Sequence, residues 1–93
     1  MDIRSTGVAG TMESSDIMIT LEPSGEENAV SLTSTVEAYY GDSIRKTILE
    51  TLKELDVEHC LVTAVDHGAL DCTIAARVTT AVRRAREADR SLA

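Results

Sequence analysis

A serine followed two residues later by an aspartate, in Thr11-Met12-Glu13-Ser14-Ser15-Asp16, is where this chain could be covalently modified. A hydroxyl is a poor nucleophile unaided, so chemistry at Ser14 needs a base or metal supplied by another protein that can reach it. The surroundings suit that requirement. Val8-Ala9-Gly10 upstream is small and flexible, and Asp16-Ile17-Met18-Ile19 downstream opens a period-two alternation, which sets the hydroxyl pair where loose chain meets a strand. Local chemistry alone favours a plain turn, with Ser and Asp side chains bonding the neighbouring backbone. On an extended backbone Asp16 lies on the side of Ser14, where it could orient the hydroxyl or help hold a modifying enzyme's metal; a turn bond is the alternative. Glu13 reads as a solvated rim charge.

Other reactive groups lack partners. Asp42-Ser43-Ile44 imitates the Asp-Ser-Leu site of phosphopantetheine carriers. In those carriers the serine opens a helix of a four-helix bundle, whereas two strands precede the first helix expected here. His59 falls at a strand entrance and His67 in a turn, neither at a motif spacing from a serine or cysteine. There is no P-loop, no GxGxxG and no metal-ligand run. Cys60 and Cys72 have no CxxC or Cys/His spacing, and are expected as buried, reduced thiols.

The frame that positions these groups is small. Ninety-three residues with two Tyr, no Trp and no Phe fit one domain with a modest aliphatic core, too small to enclose a deep substrate pocket. A carrier, adaptor or subunit is expected rather than a self-sufficient enzyme. The net charge of −7 disfavours nucleic acid, whose phosphates attract Lys and Arg. Residues 1–76 carry −10 and residues 77–93 carry +3, so the acidic part suits a basic docking surface, though an ordinary acidic exterior explains it as well. No run approaches the ~20 apolar residues of a membrane span and residues 1–15 lack a signal-peptide core, so a cytoplasmic protein with no membrane partner is expected.

Along the chain, residues 1–13 read as a flexible arm and 14–93 as a single domain. Ile17, Ile19 and Leu21 alternate with Met18, Thr20 and Glu22 in a half-buried strand. Pro23 to Asn28 is a dense turn signal, and the alternating run from Ala29 to Val36 predicts a hairpin with the first strand. A helix is predicted to begin between Val36 and Asp42, capped by Asp42 or Ser43, with Tyr40, Ile44, Ile48, Leu52 and Leu55 on its apolar face. Cys60 to Val65 reads as an interior strand reached by a parallel crossover. Asp66-His67-Gly68 turns the chain into a last helix, about Ala69 to Ala88, whose buried face is Leu70, Ile74, Val78, Ala81, Val82 and Ala85. Asp71 and the arginines at 83, 84, 86 and 90 complement its dipole. The expected fold is an α+β two-layer sandwich with a small mixed sheet in the order β-β-α-β-α.

Three blocks in order, Ala9-Gly10-Thr11-Met12-Glu13-Ser14 with Asp16-Ile17-Met18-Ile19, Tyr40 to Leu49, and Gly68-Ala69-Leu70-Asp71-Cys72, resemble the acyl carrier (gamma) subunit of citrate lyase over nearly the whole chain. The resemblance implies that Ser14 carries 2′-(5″-triphosphoribosyl)-3′-dephospho-CoA through a phosphodiester, with Asp16 as possible support. The family commonly reads Ser-Gly-Asp where this chain has Ser14-Ser15-Asp16, and the position of Ser43 is often Ala. It further implies a non-catalytic carrier that presents an acetyl or citryl thioester to the alpha and beta subunits, which cleave citrate to acetate and oxaloacetate. A prosthetic-group transferase and an acetylating ligase are the other implied partners. A non-covalent adaptor using the acidic face, and a phosphopantetheine carrier using Ser43, are the competing readings.

Overall fold

In the computed structural model, which describes residues 2–92, part of the expected arm already belongs to the sheet. Gly7–Ala9 forms an edge strand, β1, antiparallel to β2 at Ile17–Pro23. Ile3 and Ala9 are buried in the core, whereas Val8 and Met12 stay exposed. Gly7 explains how so short a strand docks: a Cβ there would overlap the carbonyl oxygen of Ala81, so the missing side chain lets backbone approach helix.

The remaining elements are β3 at Ala29–Ser34, α1 at Glu37–Glu54, β4 at Cys60–Asp66 and α2 at Asp71–Leu92. The sheet order is β1-β2-β4-β3. The expected hairpin between the two alternating runs does not form. β4 lies between them instead, antiparallel to β2 (Ile19↔Ala64) and parallel to β3 (Leu32↔Ala64). Residues 24–28 therefore cross two strand spacings of ~4.8 Å rather than one. They do so pinned to the start of β4, with Ser24 N–H donating to the His59 carbonyl and Asn28 bridging the Val57 carbonyl and the Cys60 N–H. The interior strand and its parallel crossover from β3 through α1 are as the apolar run from Cys60 predicts.

Burial alternates cleanly. Ile17, Ile19, Leu21, Cys60, Val62 and Ala64 are all fully buried, while Thr63 and Leu61 on the opposite face are exposed. Both helices pack on the buried face, giving a two-layer α+β sandwich with a mixed sheet. Burial pushes the Cys60 thiol up to about 11, which makes it inert. Cys72, expected to be buried, is exposed. Among the described residues no helix is long and apolar enough to cross a membrane.

Two helix expectations need correction. α1 begins at Glu37 with no side-chain cap, so Asp42 and Ser43 lie inside the helix; Ser34 Oγ instead accepts the Val36 N–H. Tyr40 and Leu70, assigned to the buried faces, are 59% and 71% exposed: Tyr40 lies in the first turn of α1, and Leu70 precedes the start of α2. Ile44, Ile48, Leu52, Ile74, Val78, Ala81, Val82 and Ala85 form the helical side of the core as expected.

At the far end of the sheet, Asp2 holds the approach to β4, accepting the Glu58 and His59 N–H groups and meeting His59 Nδ1 at 2.8 Å. The hydrogen bond to Asp2 raises the pKa of His59 above its ordinary 6.5.

Candidate functional site

Residues 10–16 join β1 to β2 at the end of the sheet where β3 and β4 terminate and both helices begin. Ser14 is exposed at the tip of this loop. The Asp16 N–H closes the tip on the Glu13 carbonyl at 3.2 Å, and Ser15 takes the left-handed conformation at φ 63°. Glycine adopts that conformation without penalty, which gives the Ser-Gly-Asp pattern of the resembled family a physical reason.

The base of the loop is rigid. Ser15 N–H donates to the His67 carbonyl at 2.7 Å and His67 N–H donates to the Asp16 carbonyl at 2.9 Å, so Ser15 and Asp16 together oppose His67 in a β-bulge just past Ile17↔Asp66. At the loop's other root Gly10 sits at φ +99°, where a Cβ would overlap the Ile17 carbonyl oxygen.

Asp16 is the loop's internal tie. Because the chain turns at Ser14-Ser15 rather than running extended, its carboxylate points inward and is 8% exposed. Oδ2 accepts the Thr11 hydroxyl at 2.7 Å and the Thr11 N–H at 3.1 Å, while Oδ1 accepts the Ile17 N–H at 2.7 Å. Arg77 of α2 adds Nε at 3.0 Å and Nη2 at 3.2 Å. The Arg77 guanidinium and then the Thr11 hydroxyl hold the Asp16 carboxyl well below the usual carboxylate range. Its carboxylate thus ties the two ends of the loop to each other and to α2.

A second buried carboxylate, Asp66, is 1% exposed and sets the adjoining turn. It accepts Ser34 Oγ at 2.8 Å, Gly68 N–H at 3.1 Å and Ala69 N–H at 3.0 Å. The His67 ring carries a buried Nε2 without a hydrogen-bond partner among the described residues. Among the described residues no group of three or more His, Cys, Asp or Glu could hold a metal ion.

Ser43 stands on a different element from Ser14. It is exposed on α1 and helps line a hollow of 660 Å³ with Val36, Tyr40, Ile44, Leu70 and Cys72. Another hollow, of 670 Å³, lies at the opposite end of the sheet among Asn28, Leu49, Lys53 and His59. Among the described residues that line it there is no hydroxyl or thiol nucleophile.

The sequence reading missed Arg77, Asp66 as an anchor, and the backbone clasp at His67. Arg77 left a signal: three residues after Ile74 and four before Ala81, it is a cation on the edge of a buried stripe and so needs a carboxylate opposite. Asp16→Asn keeps the shape of that partner but not its charge. It is expected to cost about 2 kcal/mol at pH 7, because Arg77 and Thr11 lose an ionised acceptor. The folded pKa of Asp16 is depressed, so its contribution is complete above the unfolded value of ~3.9 and declines as pH falls toward the folded one. Urea unfolding should therefore show a gap between wild type and variant at pH 7 that narrows below pH ~4.

Comparison with known proteins places this architecture. Residues 4–85 match the family model described as ACP, malonate decarboxylase delta subunit (MdcD). The citrate lyase acyl carrier protein of Streptococcus mutans serotype c is 56% identical over 90 residues, covering 96% of this chain and 88% of that one. The protein of the same name from Streptococcus uberis is 56% identical over 85 residues, 91% of this chain and 84% of that one. In fold, the chain is similar to one in the crystal structure of a Pseudomonas malonate decarboxylase hetero-tetramer in complex with malonate, with a TM-score of 0.61 at 19% identity, covering 86% of this chain and 82% of that one.

Proposed function

This chain belongs to the citrate lyase acyl carrier protein family, and from that premise we propose that Ser14 bears the covalent CoA-like group through which a citrate lyase complex handles its acyl cargo. The single observation that carries the assignment is the exposed hydroxyl of Ser14 on a loop whose base is locked by Gly10, Asp16–Arg77 and the Ser15–His67 clasp. A modifying enzyme can grasp that tip without unfolding anything, and a bulky arm can leave it into solvent.

The resembled family's 2′-(5″-triphosphoribosyl)-3′-dephospho-CoA fits these residues, since one phosphodiester to Ser14 Oγ needs only a free hydroxyl and open space. When bound, that group supplies a thiol able to form thioesters. The residues of this chain do the positioning. The loop fixes the point of attachment, and the open tip lets the tether reach acyl-exchanging and lyase partners in turn, at an effective concentration on the order of mM. That relatives at 56% identity are named acyl carrier proteins supports a non-catalytic subunit, with the base or metal for loading coming from the transferase.

Citrate is favoured over malonate as the substrate of the complex because the relatives at 56% identity carry the citrate lyase name, whereas the malonate decarboxylase structure shares 19%. Expressing this chain in Streptococcus mutans lacking its own carrier subunit should restore citrate cleavage in extracts. Absence of cleavage with a carrier that is loaded on Ser14 would contradict the citrate assignment.

A further inference from the structure

The 660 Å³ hollow lies between the first half of α1 and the lead-in to α2. We propose that it is the resting seat of the thiol-ended arm attached at Ser14, an inference that rests on the reading of Ser14 as the attachment point. Its volume falls in the ~300–1,000 Å³ range of small-molecule sites. Its lining pairs apolar surface from Val36, Tyr40, Ile44 and Leu70 with polar groups at its edge, Ser43, Cys72 and the Asp71 carboxylate. A pantetheine-like arm has the same mixed character, with methylenes and methyls interrupted by amides.

Two of those apolar residues are out of place in water. Leu70 is 71% exposed and Tyr40 59%, and both border one concave surface rather than being scattered singly. The hollow is also within reach of Ser14. Ser15 is bonded to the His67 carbonyl, and the next residue, Gly68, is part of the rim. Two Cα steps of ~3.8 Å and one hydrogen-bonded pair of ~5.5 Å bound the Ser14–Gly68 separation at about 13 Å. His67, on that path, holds the buried Nε2 that has no hydrogen-bond partner among the described residues. An arm folded back along this route covers Leu70 and shields its own terminus between visits to partner sites.

Cys72 provides the readout, because it is an exposed thiol in the lining whereas Cys60 is buried. The carrier is produced with its transferase, the arm thiol is acetylated, and alkylation of Cys72 by N-ethylmaleimide is followed by peptide mass spectrometry against the same chain produced without the transferase. Loading should slow Cys72 alkylation at least fivefold, and Leu70→Asp, at an exposed position that leaves the core intact, should return the loaded protein to the unloaded rate. A carrier loaded on Ser14 whose Cys72 reacts at the unloaded rate would overturn the seat while leaving the attachment intact. A chain without added mass on Ser14 would overturn the attachment and the seat together.

Discussion

Ser14→Ala yields a folded protein that is never loaded, and a complex containing it loses citrate cleavage to the background rate. Ser14 is exposed at the loop tip, so removing its hydroxyl changes stability by no more than ~0.5 kcal/mol, within the range of ordinary surface substitutions. What it removes is the exposed hydroxyl proposed as the point of attachment. Ser15 is its neighbour, but its backbone is clasped to His67 in a left-handed conformation, and Ser43 lies within α1. Ser15→Ala and Ser43→Ala should therefore be loaded like wild type, by intact mass after co-expression with the transferase. Loading of Ser14→Ala would show that another residue is the acceptor.

The second large effect is structural, and it reaches the same step by another route. Gly10→Ala forces a side chain into a left-handed backbone position and into the Ile17 carbonyl at once. Left-handed strain of ~1–3 kcal/mol and an overlap of similar cost bring the expected destabilisation to about 4 kcal/mol, a large share of the 5–15 kcal/mol that holds a domain of this kind folded. Because Gly10 forms the root of the Ser14 loop, the surviving folded molecules should also be loaded at least tenfold more slowly. Urea unfolding and a timed loading reaction measure the two effects separately. An unchanged unfolding midpoint would mean that the loop root relaxes freely and contributes no rigidity.

The parts of this fold that show in the sequence are those whose side chains must repeat to be buried. Ile17, Ile19 and Leu21 announce a strand, and Ile44, Ile48 and Leu52 announce a helix, because one face of each meets the same core. β1 is invisible by that logic, since a strand of Gly-Val-Ala has too few side chains for a period and docks through the side chain Gly7 lacks. Partner choice was equally hidden. Both alternating runs match a hairpin locally, and only the insertion of the apolar β4 between them decides otherwise.

The site divides in the same way. Ser14 is singled out by the family resemblance of the residues around it, and its exposure follows from the turn there. The residues that hold it came from afar: Arg77 is 61 positions from Asp16, and His67 is brought to Ser15 only by the antiparallel register of β2 with β4. Cys72 is exposed in the first turn of α2, and a single cysteine without a motif spacing carries no signal in the sequence that would separate it from a buried thiol. Long-range pairings of this kind leave single polar residues in the sequence, with no spacing rule to connect them.

The most direct measurement is peptide mapping by mass spectrometry of the protein taken from its native complex, centred on the fragment spanning residues 10–18. The account predicts one added mass, that of the CoA-like group, localised to Ser14 in fragments that separate it from Ser15. An unmodified fragment from a complex that still cleaves citrate, or an increment on Ser15 or Ser43 instead, would contradict it.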